Sequence, residues 1–99
     1  MNSISSIALS GMNAAQFRLD AAADNIANAQ TPGFRRQLVV DEALPEGGVT
    51  SSLQQADGAG ANLAEDIVQT TVAAYIFKAN LRTLQTEASL IGSLLDTKA

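Results

Sequence analysis

The residues that could do chemistry are few, and their spacing favours structure over catalysis. The chain has no cysteine, no histidine and no tryptophan. It therefore carries no thiol nucleophile, no imidazole base, no zinc site built from thiolate or imidazole, and no disulfide framework. Glu65 and Asp66 are adjacent acids inside a predicted helix. Neighbours on a helix point about 100° apart, so the pair cannot pinch one substrate, and it reads as favourable charge at a helix N-terminus. Asp41, Glu42 and Glu46 crowd a predicted loop where carboxylates could take a hard cation. With no further ligand pattern they read as solvated loop acids. Gly58-Ala59-Gly60 is not followed by the Lys-Ser/Thr of a phosphate loop. The residue pattern predicts no catalytic residues, no metal, no cofactor and no enzyme.

Composition points to packing. Of 99 residues, 46% are hydrophobic but only 4% aromatic, and much of the apolar content is alanine, which buries little area. Charged residues make up 16%, below the roughly 25% usual for soluble domains. A small chain with so few charges either covers its surface with neutral polar groups or does not expose much of it in use. The net charge is −4. The cations Arg18, Arg35, Arg36, Lys78, Arg82 and Lys98 include a single adjacent pair. Nucleic acid and anionic membranes are therefore disfavoured as partners. The longest uncharged run, 1–17, is interrupted by serine, asparagine and glutamine. It is not the run of about 20 apolar residues that a spanning helix needs, nor does it have the basic start of a cleavable signal peptide.

The elements follow from periodicity. Ile4, Ala8, Gly11, Ala15, Leu19, Ala22, Ile26 and Ala29 alternate spacings of four and three, which predicts a helix over 3–29. Ser3 or Ser5 would cap it, and Thr31-Pro32-Gly33 would stop it. Residues 34–61 change character. A strand is expected at 37–40, a turn at Pro45-Glu46-Gly47-Gly48, a return strand at 49–54 and a flexible joint at 56–60. Such a hairpin is marginal alone and must lean on something else. Asn62 and Glu65 then form a capping pair for a second helix. Leu63, Ile67, Thr70, Ala74, Phe77, Leu81, Leu84, Ala88, Ile91 and Leu95 mark its seam. The helices would measure about 40 Å and about 50 Å. The expected fold is mainly α. Two long terminal helices form an antiparallel coiled-coil hairpin, joined by a short segment with a small β-hairpin. Spans 1–33 and 62–99 make one domain around the connector 34–61. Two helices with alanine and glycine on the seam give a thin core, so further helices from other copies or a related chain are needed. The isolated monomer is expected to be partly unfolded.

One segment carries more than composition requires. Asn25-Ile26-Ala27-Asn28-Ala29-Gln30-Thr31-Pro32-Gly33-Phe34 sets two asparagines three apart on the last helical turns, ahead of a Thr-Pro-Gly turn and an aromatic. Taken alone this is a helix stop with polar end residues. It also resembles the N-terminal signature of bacterial flagellar rod, hook and hook-associated axial proteins. Asn25, Ile26, Ala27, Asn28, Ala29, Thr31, Pro32, Gly33 and Phe34 match the Asn-Ile-Ala-Asn-Ala-x-Thr-Pro-Gly-Phe/Tyr run of that family. Ser10-Gly11-Met12 and Ala14-Ala15 match its small-residue start. Asn62 to Val68 is similar to its Val-Asn-x-x-Glu-Glu-Met-Val. Tyr75 and Ala79-Asn80 resemble its Ala-Tyr-x-Ala-Asn stretch, with Ile76-Phe77-Lys78 adding a residue. Together these matches cover roughly two thirds of the chain.

The resemblance implies a structural subunit of the flagellar basal-body rod, needed for motility. The stretch 34–48 most resembles the proximal-rod type, while the connector is short even for that type and leaves open a rod-like paralogue that does not join the main rod. In that family the terminal helices pair as a coiled coil and stack helically around a channel, with copies of the chain and other rod subunits as partners. The type III export apparatus carries subunits to the basal body within the periplasmic space without a cleaved signal, and the termini of free monomers fold on assembly. Asn25 and Asn28 would then serve subunit packing or turn anchoring. The competing expectation is a helical-hairpin binding module or chaperone, tied to flagellar or type III export, that does not polymerise.

Overall fold

A computed structural model describes residues 3–98; residues 1, 2 and 99 of the expected terminal spans lie outside the described residues. The order is α1 (Ile4–Ala27), β1 (Gln37–Ala43), β2 (Val49–Gln55) and α2 (Leu63–Lys98). The chain is elongated, 64 × 25 × 13 Å, with a radius of gyration of 17.4 Å. A compact chain of this length would have a radius near about 13 Å. No helix among the described residues is long and apolar enough to cross a membrane.

Each helix starts where a side chain can take an orphan backbone donor. Ser3 is extended, and its hydroxyl oxygen accepts from the Ser6 N–H at 3.1 Å. Asn62 accepts from the Glu65 N–H at 3.2 Å, and its amide donates to the Glu65 carboxylate at 3.1 Å. The expected capping pair is thus present, closed through the two side chains. α1 ends two residues earlier than expected, because the Ala29 N–H turns to the Ile26 carbonyl at 3.2 Å and the Thr31 N–H to the Asn28 carbonyl, three residues back where a helix reaches four, and 28–30 bend into a turn.

β1 and β2 pair antiparallel, with Val39 opposite Leu53 and Asp41 opposite Ser51. The turn is closed by the Leu44 N–H to the Gly48 carbonyl at 3.0 Å, and it needs positive φ at Gly47 and Gly48. The hairpin leans on α1: Ser10 accepts from the Val49 N–H at 3.1 Å, and Arg18 pairs with Asp41. The 56–60 stretch is bonded back at its two ends. The Ala56 N–H donates to the Arg36 carbonyl at 2.8 Å, and the Gly60 N–H to the Phe34 carbonyl at 3.1 Å.

The core is thin, as small residues dictate. Its buried hydrophobic residues are Ala8, Ala14, Ala15, Ala21, Ala22 and Ala73. Ala8, Ala15 and Ala22 fall seven apart and line the side of α1 that meets α2. Where the helices touch, Ser5 reaches Glu87, Gly11 lies against Asn80, Arg18 reaches Gln69 and Asn25 reaches Asp66. A Cβ on Gly11 would sit 2.7 Å from the Asn80 amide, so glycine is what lets the backbones approach.

On α2 the less exposed positions are Asp66, Gln69, Thr70, Ala73, Phe77, Asn80, Leu84 and Glu87. This row overlaps the expected seam at Thr70, Phe77 and Leu84. Leu63, Ile67, Ala74, Leu81, Ala88, Ile91 and Leu95 remain exposed. The physical reason is rotation: close approach to the alanines of α1 favours the small and hydrogen-bonding row. The larger hydrophobes stand on the next row round.

Candidate structural site at the end of the first helix

The side chains singled out by the sequence gather where α1 ends. Asn25 is 3% exposed, and its amide makes a closed pair of bonds with the start of β1. The Gln37 N–H donates to its oxygen at 2.7 Å, and its nitrogen donates to the Gln37 carbonyl at 2.9 Å. An asparagine side chain thereby acts as one more rung of a β ladder and fastens helix to strand. The same nitrogen approaches an Asp66 carboxylate oxygen at 3.4 Å.

Asn28 does different work three residues on. Its amide nitrogen donates to the Asp24 carboxylate at 3.2 Å and, at 2.9 Å, to the Asp24 carbonyl, which also accepts from the Asn28 backbone N–H. Its oxygen accepts from the Thr31 hydroxyl at 3.2 Å, and the Thr31 N–H donates to the Asn28 carbonyl at 3.0 Å. Pro32 follows, and Gly33 takes φ +73°, the left-handed region that suits glycine. The Phe34 N–H then returns to the Thr31 carbonyl at 3.2 Å. Asn25 and Asn28 thus bracket the reversal that sends the chain from α1 into β1. Ile26 is 37% exposed and Phe34 half-buried; both take part through their backbone and neither through its side chain.

Sequence reasoning did not find the centre of the site. Asp66, read as a helix-start charge, is 1% exposed and is the largest fully buried side chain among the described residues. Arg36 closes on it with both ends of the guanidinium, through Nε at 3.3 Å and through a closer Nη2 contact. Glu65 adds a longer contact at 3.7 Å. The hydrogen bond to Asp66 holds the Arg36 pKa above its ordinary value, against the opposing pull of burial. One signal was available: Arg36 is a cation next to the turn motif, in a chain with six. The cluster joins α1 through Asn25, the connector through Arg36 and Gln37, and α2 through Asp66. No buried side-chain polar atom among the described residues lacks a partner.

A second ion pair pins the hairpin further along α1. Arg18 bonds Asp41, which also accepts from the Ser51 hydroxyl at 2.6 Å. Burial pushes the Asp41 pKa up, but the Ser51 hydrogen bond and the Arg18 charge outweigh it and leave the carboxyl below its ordinary value. Asp41, Glu42 and Glu46 do not converge; among the described residues no group of three metal-ligating side chains could hold an ion.

The arrangement joins three elements, α1, the connector and α2, around a small cavity that Arg18, Asn25, Arg36, Glu65 and Asp66 help to line. Residues 6–35 match the profile of a family described as Flagella basal body rod protein. That span contains most of α1, the two asparagines and the turn, and it supports a flagellar rod-related role. No curated protein matches the chain.

Proposed function

We propose that the chain is a structural subunit of the bacterial flagellar basal-body rod, or a close paralogue, of the short proximal-rod type. The observation that carries this reading is the rod-family match over 6–35, which coincides with the segment that Asn25 and Asn28 lock into a turn. In this reading 1–33 and 62–99 act as one unit, with α1 and α2 as an antiparallel coiled-coil hairpin. The pairing of Ser5 with Glu87 at one end and Asn25 with Asp66 at the other supports that orientation. Leu63, Ile67, Ala74, Leu81, Ala88, Ile91 and Leu95, left exposed by the single chain, are the surface that neighbouring rod subunits cover, while Phe77 and Leu84 serve the intrachain seam. Contacts of this kind, repeated without closing, build a helical array. The chain is exported by the flagellar type III apparatus and resides in the basal body within the periplasmic space, where it supports motility.

Deleting the coding sequence and purifying hook–basal bodies from the complemented strain tests this. The expected result is loss of motility on deletion and recovery of the chain in the rod fraction. Motility intact after deletion, with the chain absent from basal bodies and sedimenting as one small species at every concentration, contradicts it and favours a non-polymerising module. Within that assay, changing Asn25 and Asn28 together to alanine is expected to abolish rod assembly; unchanged assembly removes their assigned role.

A further inference from the structure

The outer edges of the two helices carry opposite charge in matched positions. Ala15 and Ala73 are both buried at the helix–helix contact, 2% and 1% exposed. Asp20 and Asp24 lie five and nine residues beyond Ala15; Lys78 and Arg82 lie five and nine beyond Ala73. At 100° per residue, both pairs sit roughly 140° and 180° round their helices from the helix–helix contact, while Lys78 also borders a groove with Ala15, Gln16 and Leu19 and Arg82 one with Ile4. Among the described residues, neither Lys78 nor Arg82 comes within ion-pair distance of a carboxylate, and Asp20 and Asp24 meet no cation. Two unpaired cations on one helix edge stand out in a chain of net charge −4 whose Arg18 and Arg36 are both paired. Beside them, Tyr75 is 77% exposed.

Resting on the rod-subunit reading, we propose that this α2 edge docks on the α1 edge of a second copy of the chain. Both pairs have the i, i+4 spacing. When copies lie side by side in one orientation, α2 runs opposite to the neighbouring α1. Arg82 then meets Asp20 and Lys78 meets Asp24, and Tyr75 falls beside Ala27, an exposed small residue that leaves room for the ring.

The same pairing fixes a stagger. Within one chain, Asn80 is level with Gly11 and Asp66 with Asn25. Matching Lys78 and Arg82 to Asp20 and Asp24 shifts the neighbour by eleven residues of helix, about 16 Å along the axis. The two edges differ, so the contact is heterologous, and each added copy offers a fresh edge.

Charge reversal in the full-length chain tests this, read by sedimentation velocity against protein concentration, with far-UV circular dichroism as the check on helix content. Lys78→Glu with Arg82→Glu is expected to raise the concentration needed for self-association by about tenfold or more, as is Asp20→Lys with Asp24→Lys. Combining all four is expected to restore it. If a reversed chain loses helix, Lys78→Gln with Arg82→Gln takes its place and is expected to give a smaller shift in the same direction. Self-association unchanged by either reversal overturns the proposal, as does a four-fold variant no better than the double variants, or a parent chain that never self-associates. Absence of the chain from basal bodies sinks the rod reading alone, because the sedimentation result stands without it.

Discussion

The two ends of the helical layer are built on opposite principles. Where α1 ends and α2 begins, Asn25, Arg36 and Asp66 fasten three elements with buried hydrogen bonds and an ion pair. At the far end α2 runs on past the start of α1 as a bare helix. There Leu90, Ile91, Leu94 and Leu95 are 61%, 50%, 67% and 63% exposed. The polar end is satisfied within one chain, while the apolar end is left with nothing of its own to cover it. Polar bonds need a defined partner at a defined angle, so they suit the contact that must form first and in one register. Apolar surface is non-directional, so it suits contacts with neighbours. The alanine core between the two ends supplies little area and leaves the bonds at the first end to set the alignment.

The largest expected effect comes from breaking the polar end at its buried charge. Asp66→Ala leaves the Arg36 guanidinium, which is 13% exposed, with only its 3.7 Å contact to the exposed Glu65, and is expected to cost about 3 kcal/mol in denaturant unfolding of the full chain. Removing both charges together, Arg36→Met with Asp66→Leu, should recover most of that loss, because no uncompensated charge remains. A double variant as unstable as the single one would show that the ion pair is not what binds these elements. Asn25→Ala comes next. It unpairs the N–H and carbonyl of Gln37 and is expected to cost about 2 kcal/mol. The hairpin should loosen from α1 before the helices part, visible as early loss of amide protection in β1 relative to α2.

A smaller effect is expected from pH. The folded Asp41 carboxyl lies below its ordinary pKa. Its contribution is therefore fully present above the ordinary carboxylate range and is lost as pH falls through the folded value. Acid should weaken the hairpin, and Asp41→Asn should flatten that part of the stability–pH curve by well under 1 kcal/mol, since the pair is partly exposed. An unaltered acid limb in Asp41→Asn would remove the Arg18–Asp41 pair from the account.

Much of the local structure was legible because its causes are local. The Ser3 and Asn62 caps, the Thr31-Pro32-Gly33 stop and the Gly47-Gly48 turn each follow from a few residues whose backbone preferences do not depend on distant partners. Asp66 was not legible for the opposite reason. A carboxylate in the first turn of a helix is stabilised there whether it faces water or protein, and its burial depends on an arginine thirty residues away. The α2 seam was legible as a period but not as a rotation. Ile67, Ala74 and Leu81 repeat at sevens, as do Asp66, Ala73 and Asn80. Hydrophobicity marks one row, and α1 takes the row beside it because Gly11 and its alanines admit the closer, polar-edged approach.

Amide hydrogen exchange on the dilute full-length chain, compared with the same chain after assembly, tests the contrast between the two ends most directly. Strongest protection is predicted at 18–25 and 66–80, with fast exchange in α2 beyond 88 that becomes slow only on assembly. Protection that is uniform along α2 in the dilute chain, or a terminal stretch as slow as the segment around Asp66, would contradict it.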